Sequence, residues 1–195
     1  PHKPSSKGRT HVVDDNLESW DGVSLLQPSP LLIEHIWTDA SKRSIGAHWG
    51  SMHRPSAVFS RELARWHRRK DIHFLEALAV LEALRRFSPL WSGPRRVVIH
   101  VDNENIEFGL RKGSIRDPST QVLLREIFSL CLQRHIDLVP LRVSSDDNIL
   151  ADALSRRRFA FIRQEYPAAF SLLAFQHNEV STSPHQSALQ PPPAS

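Results

Sequence analysis

The chain has 195 residues, 40% of them apolar, with 25 basic residues against 21 acidic ones and one cysteine. That length suits one compact domain with tails, and a lone cysteine excludes an internal disulfide or a thiolate zinc site. No apolar stretch is long enough to span a membrane, and the small positive excess permits a polyanionic partner without requiring one.

A lone thiol, with no signal peptide at the start, fits a reducing compartment, so an intracellular location (cytoplasm or nucleus, not secretion) is expected. Residues 1–30 are polar and proline-punctuated, apart from the apolar patch Trp20–Leu26. They read as a linker from an upstream domain, expected to be the polymerase part of a longer polypeptide. Residues 31–175 form the expected domain. Residues 176–195 end in Gln-Pro-Pro-Pro-Ala-Ser and have a composition that cannot bury a core, so a disordered tail is expected there.

In chain order, Leu31 to Thr38 reads as a strand and Ser41 to Ser44 as a turn, though without the glycine that a tight hairpin prefers. Ile45–Gly50 and Ala57–Ser60 read as two short strands. Asp71 is a candidate N-cap for a helix running to about Phe87, stopped by Pro89 and Gly93-Pro94. Arg95–Val101 has the Val/Ile-rich run of a strand covered on both faces. Thr120–Arg134 reads as a helix that carries Cys131 in its core face, Leu138–Val143 as a fifth strand, and a further helix starts near Asn148 behind the cap candidates Asp146 and Asp147. Trp37, Trp49 and Trp91 read as core, and the eleven histidines, which show no metal spacing, as surface or satisfied core residues. The order β-β-β-α-β-α-β-α gives an α/β fold, a five-stranded mixed sheet flanked by helices. A right-handed crossover sets the fifth strand parallel to the fourth.

Four acids stand out on these elements. Asp39 and Asp102 end the first and fourth strands, so parallel pairing would bring both carboxylates to one sheet edge, where open α/β sheets hold ligands. Glu76 interrupts the apolar run Phe74–Leu81, and Asp152 lies in Ile149-Leu150-Ala151-Asp152-Ala153-Leu154. An acid on an apolar face needs a partner or a metal to offset its desolvation. Each has a bland alternative as a turn former, a cap or a snorkelling edge residue. As a set, four carboxylates would repel one another, and two hard divalent cations roughly 3.5–4 Å apart would relieve that repulsion. All-oxygen ligands favour Mg²⁺, with Mn²⁺ as a substitute. Among the basic residues, Arg61, Arg65, Arg68, Arg69 and Lys70, interleaved with Trp66 and His67, either contact phosphates or form a solvated loop; Arg156-Arg157-Arg158 allows the same two readings.

Residues from about Leu31 to Arg158 resemble the RNase H domain of retroelement reverse transcriptases. The resemblance rests on Thr38-Asp39-Ala40-Ser41, Phe59-Ser60-Arg61-Glu62-Leu63, Leu75-Glu76-Ala77, Val101-Asp102-Asn103 and Ala151-Asp152-Ala153-Leu154-Ser155-Arg156. Asp102-Asn103 followed by Leu110-Arg111-Lys112-Gly113 is similar to retrotransposons that encode a tyrosine recombinase. The resemblance implies an RNase H-like fold and an endonuclease that cuts the RNA strand of RNA–DNA hybrids during reverse transcription. It also implies that Asp39, Glu76, Asp102 and Asp152 are both the catalytic residues and the ligands of two metal ions. Substrate contacts are expected from Ser41, Asn103, Arg61, Arg65, Arg68 and Arg69, and the expected partners are the hybrid and the upstream reverse transcriptase domain, with no membrane. One departure is plain: many such domains carry a histidine shortly before the last Asp, whereas Arg142–Asp147 has none. Glu76 argues against an integrase, and Ser41 in the second position of an Asp-x-Glu pair argues against a proofreading exonuclease. The remaining alternative is an inactive RNase H-like module that braces template nucleic acid.

Overall fold

The computed structural model describes residues 31–181, with side chains as far as Ala174. The expected linker 1–30 and most of the expected tail lie outside the described residues. The last helix runs past residue 175, to Ser181.

Five strands, β1 (Leu32–Ala40), β2 (Ser44–Ser51), β3 (Arg54–Glu62), β4 (Arg95–Val101) and β5 (Ile136–Arg142), form one sheet in the order β3-β2-β1-β4-β5. The first three pair antiparallel through hairpins, while β1–β4 and β4–β5 are parallel. The helices are α1 (Ile72–Phe87), α2 (Glu104–Lys112), α3 (Pro118–Gln133), α4 (Ile149–Ser155), α5 (Phe159–Glu165) and α6 (Pro167–Ser181). The mixed sheet flanked by helices is as the residue pattern implies. Helix α2 adds about two and a half turns ahead of α3, and α5 and α6 extend the chain after α4.

Period-2 alternation gives each face of the sheet its own core. Ile36, Ala40, Ile45, Ala47, Phe59, Val97, Ile99 and Val101 point to one side and pack with α1 and α3 around Leu75, Leu84, Leu124 and Ile127. On the other side Val58 packs with Leu150 and Leu154 of α4, Ile162 of α5, Leu173 of α6 and Tyr166 between the last two. Cys131 is buried in the first core, and burial pushes its thiol up to about 12. Among the described residues no helix is long and apolar enough to cross a membrane.

The β1–β2 hairpin dispenses with glycine because Ser41 supplies the turn contacts. Its Oγ accepts from the amides of Arg43 (3.2 Å) and Ser44 (3.0 Å). Asp71 occupies the N-cap of α1 without a side-chain bond. Neither Asp146 nor Asp147 caps α4: the N-cap is Asn148, and Asp147 Oδ2 accepts instead from Ser144 Oγ at 2.6 Å. Trp37 also departs from expectation. Trp49 and Trp91 pack against the first core, but Trp37 alternates with the inward residues of β1 and lies on the opposite face. There it is sandwiched between the rings of His48 (4.8 Å) and His100 (4.1 Å). Both imidazoles are buried and held below their ordinary range by desolvation, His48 to about 3 and His100 to about 4.

Candidate metal centre

Asp39 is the penultimate residue of β1, and Asp102 directly follows β4. Because the two strands are parallel neighbours, both carboxylates leave the sheet at the same edge. Helix α1 crosses the inner face there and presents Glu76. Ligand oxygens of Asp39, Glu76 and Asp102 all lie within 4.8 Å of one another. Asp39 and Glu76 are only 4% and 3% exposed, so their charges have little water to solvate them.

The electrostatics follow from that crowding. The Asp39 carboxyl is raised from 3.8 to about 7, chiefly by burial and then by the Asp102 and Asp152 carboxylates, while a hydrogen bond from Ser155 Oγ and the charge of Arg156 oppose the rise. Glu76 is raised well above its ordinary range, chiefly by burial and then by Asp39 and Asp102. The amide of Ala40 donates to Glu76 Oε1 at 3.2 Å, but Oε2 is buried with no hydrogen-bond partner. A buried glutamate with one unpartnered oxygen, grouped with two further carboxylates, fits a divalent cation: the donor set is all oxygen, and a positive charge would relieve both the repulsion and the desolvation.

Asp152, on α4, lies close enough to raise Asp39 but outside the tight group of three. Its carboxylate is engaged by Arg156 through Nε and approached by Arg158 at 3.5 Å. Helix α4 is drawn against the sheet by Gly46 of β2, where an added Cβ would fall 2.5 Å from Leu154 Cβ. Hydroxyls of Ser41 (2.8 Å) and Ser44 also donate to the Ser155 carbonyl, and Asn148 Nδ2 donates to the Thr38 carbonyl at 2.9 Å. These contacts fix the spacing between α4 and the end of β1. The β5–α4 loop reaches Asp102 through Ser145 Oγ, 3.3 Å from Oδ2. Ser145, Asn148 and Ser155 were not anticipated as site residues, although Ser155 stands three residues after Asp152, on the same helix face.

The expected substrate contacts are placed unevenly. Ser41 is committed to the hairpin and to Ser155, and Asn103 Oδ1 caps α2 by accepting from the amides of Asn105 and Ile106. Arg61 lies 3.6 Å from Glu82, and Arg68 pairs with Glu62 at 2.6 Å while its Nε donates to the Leu63 carbonyl. Arg65 and Arg69 are exposed, as is Trp66 beside them.

Residues 33–127 match the model of a family described as the RNase H-like domain found in reverse transcriptase. Among solved structures, RNase H1 from the halophilic archaeon Halobacterium salinarum aligns with a TM-score of 0.53 at 19% identity, covering 64% of this chain and 96% of that one. LC11-RNase H1, a compost metagenome protein solved with an RNA/DNA hybrid, aligns with a TM-score of 0.57 at 17% identity over 64% of this chain and 94% of its own. The N-terminal RNase H domain of Mycobacterium tuberculosis rv2228c gives 0.54 at 15% identity over 65% and 98%. No curated protein matches the sequence. The fold is RNase H-like.

Proposed function

We propose that this RNase H-like domain, of the kind found in reverse transcriptases, is an endonuclease that hydrolyses the RNA strand of RNA–DNA hybrids during reverse transcription. The observation that carries the reading is the convergence of the buried carboxylates Asp39 and Glu76 with Asp102, from three separate elements, to within 4.8 Å of one another. Two divalent ions, Mg²⁺ with Mn²⁺ as substitute, would be held by these three carboxylates together with Asp152. Such ions supply an acidified water as nucleophile and stabilise charge on the leaving oxygen. The protein's own residues do the rest. Ser155 orients Asp39, the Ala40 amide orients Glu76, and Ser145 steadies Asp102 from the loop before α4. Strand choice would come from the 2′-hydroxyls in the wide minor groove of the hybrid.

We place the domain beside an upstream polymerase domain of a retrotransposon polypeptide, of the type that encodes a tyrosine recombinase, in the cytoplasm or nucleus. Ala151-Asp152-Ala153-Leu154-Ser155-Arg156 and Asp102-Asn103 support the first part, and the single free cysteine supports the second. An inactive bracing module is the second reading. It is favoured by one observation: Asp152 is neutralised by Arg156 and Arg158 instead of standing open to a cation. Incubation with hybrid labelled on either strand, with Mg²⁺ or with chelator, separates the two. Mg²⁺-dependent loss of the RNA strand alone supports the nuclease, and hybrid binding without any cleavage supports the brace.

A further inference from the structure

Next to the carboxylates, the β1–β2 hairpin and the C-terminal turn of α4 enclose a pocket of about 410 Å³, lined by Ser41, Lys42, Arg43, Glu62, Arg156 and Arg157 among others. Four cations face one acid. Arg156 is engaged by Asp152, and Glu62 is shared between Arg68 and Arg157 (2.9 Å). Lys42 Nζ gives one of its three N–H groups to the Lys70 carbonyl at 2.7 Å, and the Arg43 side chain is exposed. The pocket is therefore positive, with donors to spare. It is also tied to the metal centre, because Ser41 in its wall donates to the carbonyl of Ser155, whose hydroxyl donates to Asp39.

The backbone adds an independent observation. Helix α4 ends in a Schellman motif: the amide of Arg158 bonds the Ala153 carbonyl (2.9 Å) and that of Arg157 the Leu154 carbonyl (3.1 Å). This closure needs a left-handed residue, and Arg157 adopts φ 55°. Glycine meets that need without strain, and the same chain uses it at the end of α2, where Gly113 has φ 75°. An arginine at the left-handed position carries a backbone cost that glycine would not, and it holds the guanidinium at the pocket wall, against Glu62 and over the Phe159 ring at 5.3 Å.

We propose that this pocket is a phosphate subsite for the strand being cut, with Lys42, Arg43 and Arg157 as its cationic ligands. The inference rests on the nuclease reading for the identity of the strand, while phosphate binding itself is measured without cleavage. The pocket adjoins the carboxylates that hold the scissile group on that reading, so the phosphate it takes belongs to the same strand. Arginine suits the task because its planar fork matches phosphate oxygens.

The test uses the full chain in chelator, a fluorescent RNA–DNA hybrid and a salt titration. Arg157→Gly should melt at the wild-type temperature or higher, because the strained position is relieved. It should nevertheless bind hybrid about tenfold more weakly at low salt, and the slope of log affinity against log salt should fall by about 0.9. Arg157→Lys, which keeps the charge at the same backbone cost, should recover most of the slope. Lys42→Gln, which leaves the helix end untouched, should move affinity and slope in the same direction as Arg157→Gly. Hybrids with a single neutral methylphosphonate linkage locate the contact. Placed in the RNA strand beside the cut, it should erase the difference between wild type and Arg157→Gly, whereas in the DNA strand it should preserve that difference; the reverse pattern overturns the assignment to the cut strand. Unchanged affinity and slope in Arg157→Gly and Lys42→Gln overturn the subsite even if the protein cleaves hybrid. A wild type that neither binds nor cuts hybrid overturns the nuclease reading, and the subsite with it.

Discussion

Replacing Asp39 by Asn removes one buried negative charge of the cluster while keeping the shape that Ser155 and β1 require. Its effect on stability without metal follows from the raised carboxyl. A group whose folded pKa lies above its unfolded value stabilises the fold below the unfolded pKa, and that stability is lost as pH rises through the folded one. For Asp39 the window runs from 3.8 to about 7. At about 1.4 kcal/mol per pH unit, ionising Asp39 in the fold therefore costs on the order of 4 kcal/mol at pH 8. The histidines complicate a scan of wild type alone. His48 and His100 are held low, so they destabilise the fold as pH falls through their unfolded value, opposite in sign to Asp39. Subtracting the two proteins cancels them. The measurement is denaturant unfolding of wild type and Asp39→Asn in chelator from pH 4 to 8. Near pH 4 the two should agree to within about 1 kcal/mol, the scale of one altered hydrogen bond. By pH 8 Asp39→Asn should be the more stable by several kcal/mol. Saturating Mg²⁺ should then narrow the gap from the wild-type side, by about 2.7 kcal/mol at a hundred times the dissociation constant. A difference that does not vary with pH, or a wild type that is the more stable at pH 8 in chelator, would refute the picture of a self-repelling cluster.

Two further substitutions probe how the cluster is held. Gly46→Ala would drive a methyl group into Leu154 Cβ and the Ser155 amide, both 2.5 Å away, so α4 must lift from β2. A loss of about 1–3 kcal/mol in thermal or denaturant unfolding is expected, and wild-type stability would mean that the helix is not seated there. Ser155→Ala removes the hydroxyl that donates to Asp39. A loss of about 1 kcal/mol is expected, since a buried partner goes unsatisfied, together with a further rise in the Asp39 carboxyl that an NMR titration in chelator would show as a higher midpoint.

The parts of this architecture that were legible in the residues are those where period and chemistry coincide. Strand β4 has the bounds that its Val/Ile run implies, and Asp39 and Asp102 stand at strand ends because parallel pairing carries both there. Helix α2 escaped notice because only Ile106, Gly109 and Leu110 of its nine residues are buried, too few for a visible stripe. Its signals were nevertheless present in Asn103 at the N-cap and Gly113 at the left-handed end. The end of α4 was hidden for the opposite reason, since an arginine occupies the position where a glycine would have announced the stop. The layer of His48, Trp37 and His100 is a tertiary product. Each residue sits on a different strand, and nothing local says that the imidazoles will be stacked and neutral. Asp152 shows the same limit. Its place on an apolar helix was readable, but its capture by Arg156 and Arg158 depends on the turn that follows.

The most direct test of the nuclease account compares wild type with Asp102→Asn on one labelled RNA–DNA hybrid, reading cleavage in Mg²⁺ and affinity in chelator. Asp102→Asn takes one charge from the proposed metal site and leaves its volume unchanged, so cleavage should fall by orders of magnitude. Affinity should hold or tighten, because a carboxylate that repels the phosphate backbone has been neutralised. Cleavage at the wild-type rate would contradict the assignment of the metal centre, and a wild type that binds hybrid without ever cutting it would leave only the bracing role.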